Sequence, residues 1–388
     1  MIDVIVVIVL IAGAVAGYRL GFVRSLLGLA GVIAGGVGAY FAIPPVVAWI
    51  SAPEWRIAGV IGTAFILVTA GYLLGTTIGR VIGRGVAKAK LRFVDRALGF
   101  VGSGVAAALV VVTVASGVST LGVAPLTQAI ASSSILRTID GIVPPQVSTF
   151  LAQVRTAAVT DGAPWVIDAL GAPSTAPSIP TVSTDSPALT AAARSVVRIT
   201  GTAYACGITM SGSGFAVAPD RVITNAHVVA GISEPVVEVP GQSPRSGRIV
   251  YFDAAADLAV IAVDGLPADA LQLTDSLPPT SPAIVAGYPF GGPFSIAGAE
   301  VLAAGPLQLI SDGAVGTTRD AYTLAADIEP GNSGGPLLTV DGQVAGVVFA
   351  KASTVSNVGY ALTMEELSPV AAQAPELTAP VSTGACSA

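Results

Sequence analysis

Histidine is nearly missing from this chain: its 388 residues hold one, His227. A histidine-built metal centre needs several ligands close together. The two cysteines, Cys206 and Cys386, are far apart in sequence and supply no cluster. No metal and no cofactor are expected. Charge is scarce too, at 11% of residues, with a mean hydropathy of +0.77. A soluble globular protein carries about twice that share of charge, so part of the chain belongs in lipid. Residues 122–388 are short of positive charge in particular. They hold nine Lys and Arg against twenty-one Asp and Glu, a net of −12. Nucleic-acid binding wants a basic footprint, so this balance argues against it. Residues 1–121 hold nine basic and three acidic side chains, a net of +6. The two parts face different solvents. Finally, the chain's start lacks the basic segment of a signal peptide, and its apolar run leads into more such runs.

Four long apolar runs are present, at roughly residues 2–18, 26–43, 57–78 and 98–121. A membrane-spanning helix needs about 20 mostly apolar residues. These runs are apolar all round, which sets them apart from the one-sided helices of a soluble domain. The first loop between them holds Arg19 and Arg24, and the second holds Glu54 and Arg56 beside Trp49 and Trp55. The third, RVIGRGVAKAKLRFVDR, has six basic residues and one acid. Positive loops stay in the cytoplasm, which places loops one and three inside and both termini outside. Everything after Leu121 is then extracytoplasmic. Glycines four apart, Gly31 and Gly35, then Gly71, Gly75 and Gly79, suit close helix packing in lipid. No paired intramembrane charges mark a transport path. Four spans with these loop charges resemble the colicin V production (CvpA) membrane family.

Residues 122–190 read as a connector. PPQVSTFLAQVRTAA and APWVIDAL have helical patterns, and residues 171–188, GAPSTAPSIPTVSTDSPA, carry four prolines and no Lys or Arg. The latter reads as an extended, stiff linker. From about Ala191 short β-branched runs alternate with Gly, Pro, Asp and Ser turns, as in SVVRITG, GSGFAVA, LAVIAV and NVGYALT. This predicts an all-β barrel or sandwich over residues 191–388.

Three pieces of that region carry chemistry: ITNAHVV with His227, FDAAADLAVIAV with Asp257, and IEPGNSGGPLL with Ser333. A serine hydroxyl is a poor nucleophile at neutral pH and needs an imidazole to take its proton. A carboxylate then orients the imidazole. The Gly331 and Ser333 amides are placed to form an oxyanion hole. Asp253 competes with Asp257 for the acid's role. Asp257 directly precedes a strand, whereas Asp253 reads as a turn residue.

In order and spacing, TNAHVV, DLAV and GNSGGP resemble a chymotrypsin-fold serine protease of the bacterial HtrA-like sort over roughly residues 191–369. The resemblance implies two antiparallel β-barrels with the triad between them: His227 as base, Asp257 as orienting acid and Ser333 as nucleophile. Four spans followed by such a domain resemble the MarP family of actinobacterial membrane proteases, which implies roles in acid and oxidative stress resistance and envelope maintenance. Protein or peptide substrates in the envelope and the lipid bilayer are the implied partners. Two departures matter. Asn332 stands where many relatives have Asp, which argues against activation by a newly freed N-terminus. The chain ends at Ala388, so a terminal PDZ module is not expected.

By the same resemblance Asp327, six residues before Ser333, is either the floor of a pocket for Arg or Lys or a surface carboxylate. The segment Gly346–Ala350, with Val347, Val348 and Phe349, is expected to line the pocket and pair with substrate as an added strand. Two cysteines in an oxidising compartment suggest a Cys206–Cys386 disulfide. In the chain-entropy model so long a loop contributes about 5 kcal/mol. Two other classes of function compete: a catalytically idle scaffold on a protease fold, and a secretion or transport role of the spans.

Overall fold

The computed structural model describes residues 2–49, 53–88, 92–119, 124–159, 166–169, 173–203, 208–311 and 314–384. They divide into two compact units.

The first unit holds helices α1 (Ile2–Leu20), α2 (Phe22–Trp49), α3 (Pro53–Lys88) and most of α4 (Arg92–Ser119). Each contains a segment long and apolar enough to cross a membrane: Ile2–Leu20, Phe22–Ala39, Phe65–Gly83 and Phe93–Ala115. One residue, Gly21, separates α1 from α2, at a left-handed φ of 84°. A side chain there is strained and would meet Asp95. Asp95 instead accepts the Val23 amide at 3.1 Å, which caps the start of α2. Helices α2 and α3 approach through their glycines. A Cβ at Gly31 would lie 2.1 Å from the Gly71 carbonyl, and one at Gly75 would lie 2.0 Å from that of Leu27. The glycine spacing thus serves packing inside this unit.

Helix α5 (Ala124–Ala131) follows, then α6 (Ser134–Ile142) and α7 (Pro145–Val159). Asp3 accepts from Ser133, Ser134 and the Ile135 amide, which satisfies the start of α6.

The second unit is β-rich. Its connector part corrects one sequence expectation: Val166–Ala169, in the helical-looking APWVIDAL, forms strand β1. Backbone pairing decides this, because β1 runs antiparallel to β10 (Ser295–Ser311) and parallel to β13 (Val344–Ala352). Residues 173–186 are extended and lie against the barrel. Asn357 Nδ2 donates to the Pro177 carbonyl at 3.2 Å, and Gly298 faces Pro180 and Val182. Helix α8 (Pro187–Ala193) begins at Ser186, whose hydroxyl accepts the Leu189 amide.

One sheet then contains β2 (Val196–Ala203), β3 (Ile208–Ala218), β4 (Arg221–Thr224), β5 (Val236–Glu238), β6 (Arg245–Ser246), β7 (Arg248–Asp253) and β8 (Leu258–Ala262). Its order is β6-β5-β2-β3-β4-β8-β7, all antiparallel. Between β4 and β5 lies the single turn α9 (Ala226–Val229). The second sheet has β9 (Pro282–Gly287), β10, β11 (Ala314–Ala325), β12 (Pro336–Leu338), β13 and β14 (Val358–Leu362). Pairing of β10 with β9 closes these six into a barrel, and β1 adds to its edge. Helix α10 (Met364–Gln373) packs Leu367 and Val370 inward. One apolar cluster joins the two sheets, with Phe215 and Val260 from the first and Ile284, Phe349 and Tyr360 from the second. This is the expected architecture: four apolar helices, then a chymotrypsin-like all-β domain of a half-barrel and a closed barrel.

Candidate active site

Strand β4 ends at Thr224, and the chain turns at once into α9, which carries His227. Buried neighbours fix this turn. Thr224 Oγ1 donates to the Ser213 carbonyl at 2.7 Å, and Asn225 Nδ2 donates to the Asp257 carbonyl at 2.9 Å. His227 Nδ1 lies 2.9 and 3.0 Å from the two Asp257 carboxylate oxygens, and the His227 amide donates to one of them at 3.0 Å. A proton on Nδ1 satisfies this contact, which leaves the acceptor lone pair on Nε2.

Asp257 stands just before β8 with φ 56°, a left-handed conformation rare outside glycine. Its side chain is 8% exposed. Burial pushes the carboxyl up, but the facing His227 and the Arg319 guanidinium outweigh burial and hold it below the ordinary value. Asp253 is spent elsewhere: its carboxylate accepts the Ala255 and Ala256 amides at 2.8 and 3.0 Å, which builds the β7–β8 turn.

Ser333 lies in the turn before β12, buried, and its hydroxyl donates to the Phe349 carbonyl at 3.2 Å. Gly331 has φ 97°, and a Cβ there would lie 2.3 Å from the Tyr288 carbonyl. Gly334 has φ 82°, and a Cβ there would meet the Ser213 carbonyl and Thr224 Oγ1, each at 2.2 Å. These two positions demand glycine twice over. The Pro330 carbonyl accepts the Phe290 amide, and the Asn332 carbonyl accepts the Gly335 amide at 2.9 Å. Peptides are trans, so each bond aims the following amide, Gly331 or Ser333, the opposite way. Among the described residues neither amide donates within the chain. They are fixed and unspent donors. Ser213, from the half-barrel, ties the loop together. Its hydroxyl donates to the Gly331 carbonyl at 2.6 Å and accepts the Tyr288 amide at 2.8 Å.

The expected pocket residues lie on β13. Val347, Val348 and Phe349 are buried. Val348 already bonds the serine turn through both its amide and its carbonyl, to Gly335 and Gly334. Strand β1 takes the edge at Lys351 and Ala352. Asp327 is exposed. The buried neighbour Ile328 instead fills the space facing Gly359, where a Cβ would lie 2.3 Å from Ile328 Cγ1. Lys351 and Glu329 pair at 3.1 Å beside it. Cys206 and Cys386 fall outside the described residues.

Sequence reasoning passed over three contributors. Asn225 and Ser213 sit inside quoted motifs, TNAHVV and GSGF, but motif matching draws the eye to histidine and glycine. Arg319 has no local signal, because 62 residues separate it from the Asp257 it touches.

The comparisons agree with this geometry. Residues 212–347 match the trypsin-like peptidase domain family, and residues 2–144 match the colicin V production protein family. The chain is 34% identical to Serine protease Rv3671c of Mycobacterium tuberculosis, over 99% of this chain and 98% of that one. It is also 34% identical to Serine protease Do-like HtrA of Lactococcus lactis subsp. cremoris, over 35% of each chain. A crystal structure of the Rv3671c protease from M. tuberculosis, titled as its active form, matches at 38% identity with a TM-score of 0.50. It covers 56% of this chain and 99% of that one. The full-length match joins both parts in one relative, and the chain therefore belongs to the MarP family of serine endopeptidases, with a colicin-V-production-type membrane domain ahead of a trypsin-like protease domain.

Proposed function

We propose that this protease is anchored in the cytoplasmic membrane with its catalytic domain outside, where it cleaves proteins of the cell envelope. In this reading His227 is the general base, Asp257 orients it, and Ser333 attacks the scissile carbonyl. The Ser333 hydroxyl turns from the Phe349 carbonyl as His227 takes its proton. The Gly331 and Ser333 amides receive the oxyanion, each worth about 2.7–4 kcal/mol. The observation that carries the reading is the lone imidazole seated on a buried carboxylate at 2.9 Å, in a domain whose serine turn holds two unspent amides. An idle scaffold has no need of this set.

Location outside rests on the basic first and third loops. A Cys206–Cys386 disulfide fits that compartment. The tail supports the pairing as far as Gly384: the Thr383 hydroxyl donates to the Ile232 carbonyl at 3.1 Å, and Ile232 packs with Ala203 and Met210, which flank Cys206. Such a bond braces the tail against the half-barrel. The resemblance to the MarP family and this cysteine pair support a role in acid and oxidative stress.

Labelling with a fluorophosphonate tests the chemistry. Wild-type protein is expected to be modified at Ser333, and His227→Ala to resist modification. A folded wild type that stays unlabelled returns the scaffold reading. Proteinase accessibility in spheroplasts tests the side, since a protected catalytic domain contradicts it. Envelope proteomes of wild type and Ser333→Ala identify substrates.

A further inference from the structure

Arg319 belongs to β11 of the closed barrel, yet its side chain ends on the half-barrel. Its Nε donates to the Ala255 carbonyl at 2.8 Å and its Nη2 to that of Ala254 at 3.3 Å. Nη1 lies 3.5 Å from Asp257 Oδ2, the oxygen that sits 2.9 Å from His227 Nδ1. The guanidinium carbon stands 5.6 Å above the centre of the Phe349 ring. Phe349 is the residue whose carbonyl holds the Ser333 hydroxyl. One side chain, only 12% exposed, thus touches the acid, the loop that carries it, and the segment beside the nucleophile.

The loop needs such a hold. Asp257 occupies a left-handed conformation that persists only where its surroundings over-determine it. Asn225 grips the Asp257 carbonyl from the histidine's side, and Arg319 grips Ala254 and Ala255 from the facing barrel. A guanidinium suits this task, because its planar fork reaches several acceptors at once and stacks on an aromatic face.

Charge adds a second effect. The ionic groups of the surrounding elements are few. Asp253 on β7 is committed to the turn amides, with Tyr251 3.5 Å from it. On β11 the neighbour is Asp320, and on β13 Lys351 pairs with Glu329 at 3.1 Å. Among the described residues Arg319 is the one cation in contact with the His227–Asp257 pair. A fixed cation beside the carboxylate favours its ionised form, the form that accepts from the imidazole N–H.

We propose that Arg319 is a positioning residue for the triad: from the facing barrel it locks the Asp257 loop and so fixes the carboxylate that orients His227. This rests on His227, Asp257 and Ser333 being the triad. Substrate does not touch Arg319 in this role, which acts through Asp257.

Three full-length variants test it. Arg319→Met removes fork and charge, and kcat is expected to fall by up to about a hundredfold with KM little changed. Arg319→Lys keeps the charge without the fork, and its kcat is expected to fall between those of wild type and Arg319→Met. In an Asp257→Asn background, Arg319→Met adds little. If Arg319 only stabilises the fold, Arg319→Met lowers Tm and the surviving folded protein keeps wild-type kcat; that result overturns the proposal. Additive losses in the double variant overturn it as well. Failure of the triad itself looks different, because wild type then resists the fluorophosphonate before any arginine is changed.

Discussion

Glycine serves the two units of this protein in opposite ways. In the helical unit Gly31, Gly71 and Gly75 have ordinary helical backbones, and what they lack is bulk, so that α2 and α3 meet backbone to backbone. In the protease unit Gly331 and Gly334 have φ of 97° and 82°, and what they supply is a conformation. Apolar side chains show the same reversal. Phe65 is 71% exposed on its helix, whereas Phe349 is 1% exposed in its barrel. Composition alone therefore does not state a residue's task. The solvent around the segment decides whether apolar surface faces outward, and local backbone geometry decides whether a glycine is a spacer or a hinge of the site.

Four changes press on this contrast. Gly331→Ala is expected to cost the most activity of the two glycine changes. It misplaces one oxyanion donor and should cost about 10²–10³-fold in kcat, measured by peptide hydrolysis alongside fluorophosphonate labelling. Activity within about threefold of wild type would mean that the Gly331 amide is not a donor. Gly71→Leu comes next. It forces α2 and α3 apart and is expected to cost about 1–3 kcal/mol or more of helix packing, seen as a lower Tm in detergent, while peptide hydrolysis by the solubilised protein persists. Loss of both together would show that the two units do not act independently.

The third concerns pH. Asp257 titrates below its unfolded value of about 3.9 when folded. It therefore contributes stability that is present above that value and lost as pH falls through the folded one. In Tm scans from pH 7 to pH 3, Asp257→Asn should lie below wild type at neutral pH and converge on it in acid. Parallel curves would contradict the sign. The smallest effect is expected from Asp327→Asn. That side chain is exposed, so cleavage after Arg or Lys should not change relative to cleavage after small apolar residues. A collapse of basic-residue cleavage would restore Asp327 to the pocket floor.

Much of this was readable in advance, for identifiable reasons. Spans show in sequence because lipid demands long uninterrupted apolar runs. Strands β2 to β14, apart from the two-residue β6, show because β-branched runs are punctuated by turn residues. Asp257 and Ser333 could be placed because each sits where a strand meets a turn. Strand β1 could not, because four residues carry no period of their own and only pairing with β10 and β13 makes them a strand. Arg319 was hidden for a related reason: its importance comes from a contact across barrels, which no local pattern encodes.

The single histidine has a further consequence for the protein's charge as a whole. Imidazole is the ordinary side chain that gains a proton between pH 8 and pH 5, and this chain holds one. No second imidazole is therefore present to recharge a surface as pH falls through this range. The chain's surface field is built from Lys, Arg, Asp and Glu, whose ordinary pKa values lie outside it, and its one imidazole is held against the Asp257 carboxylate.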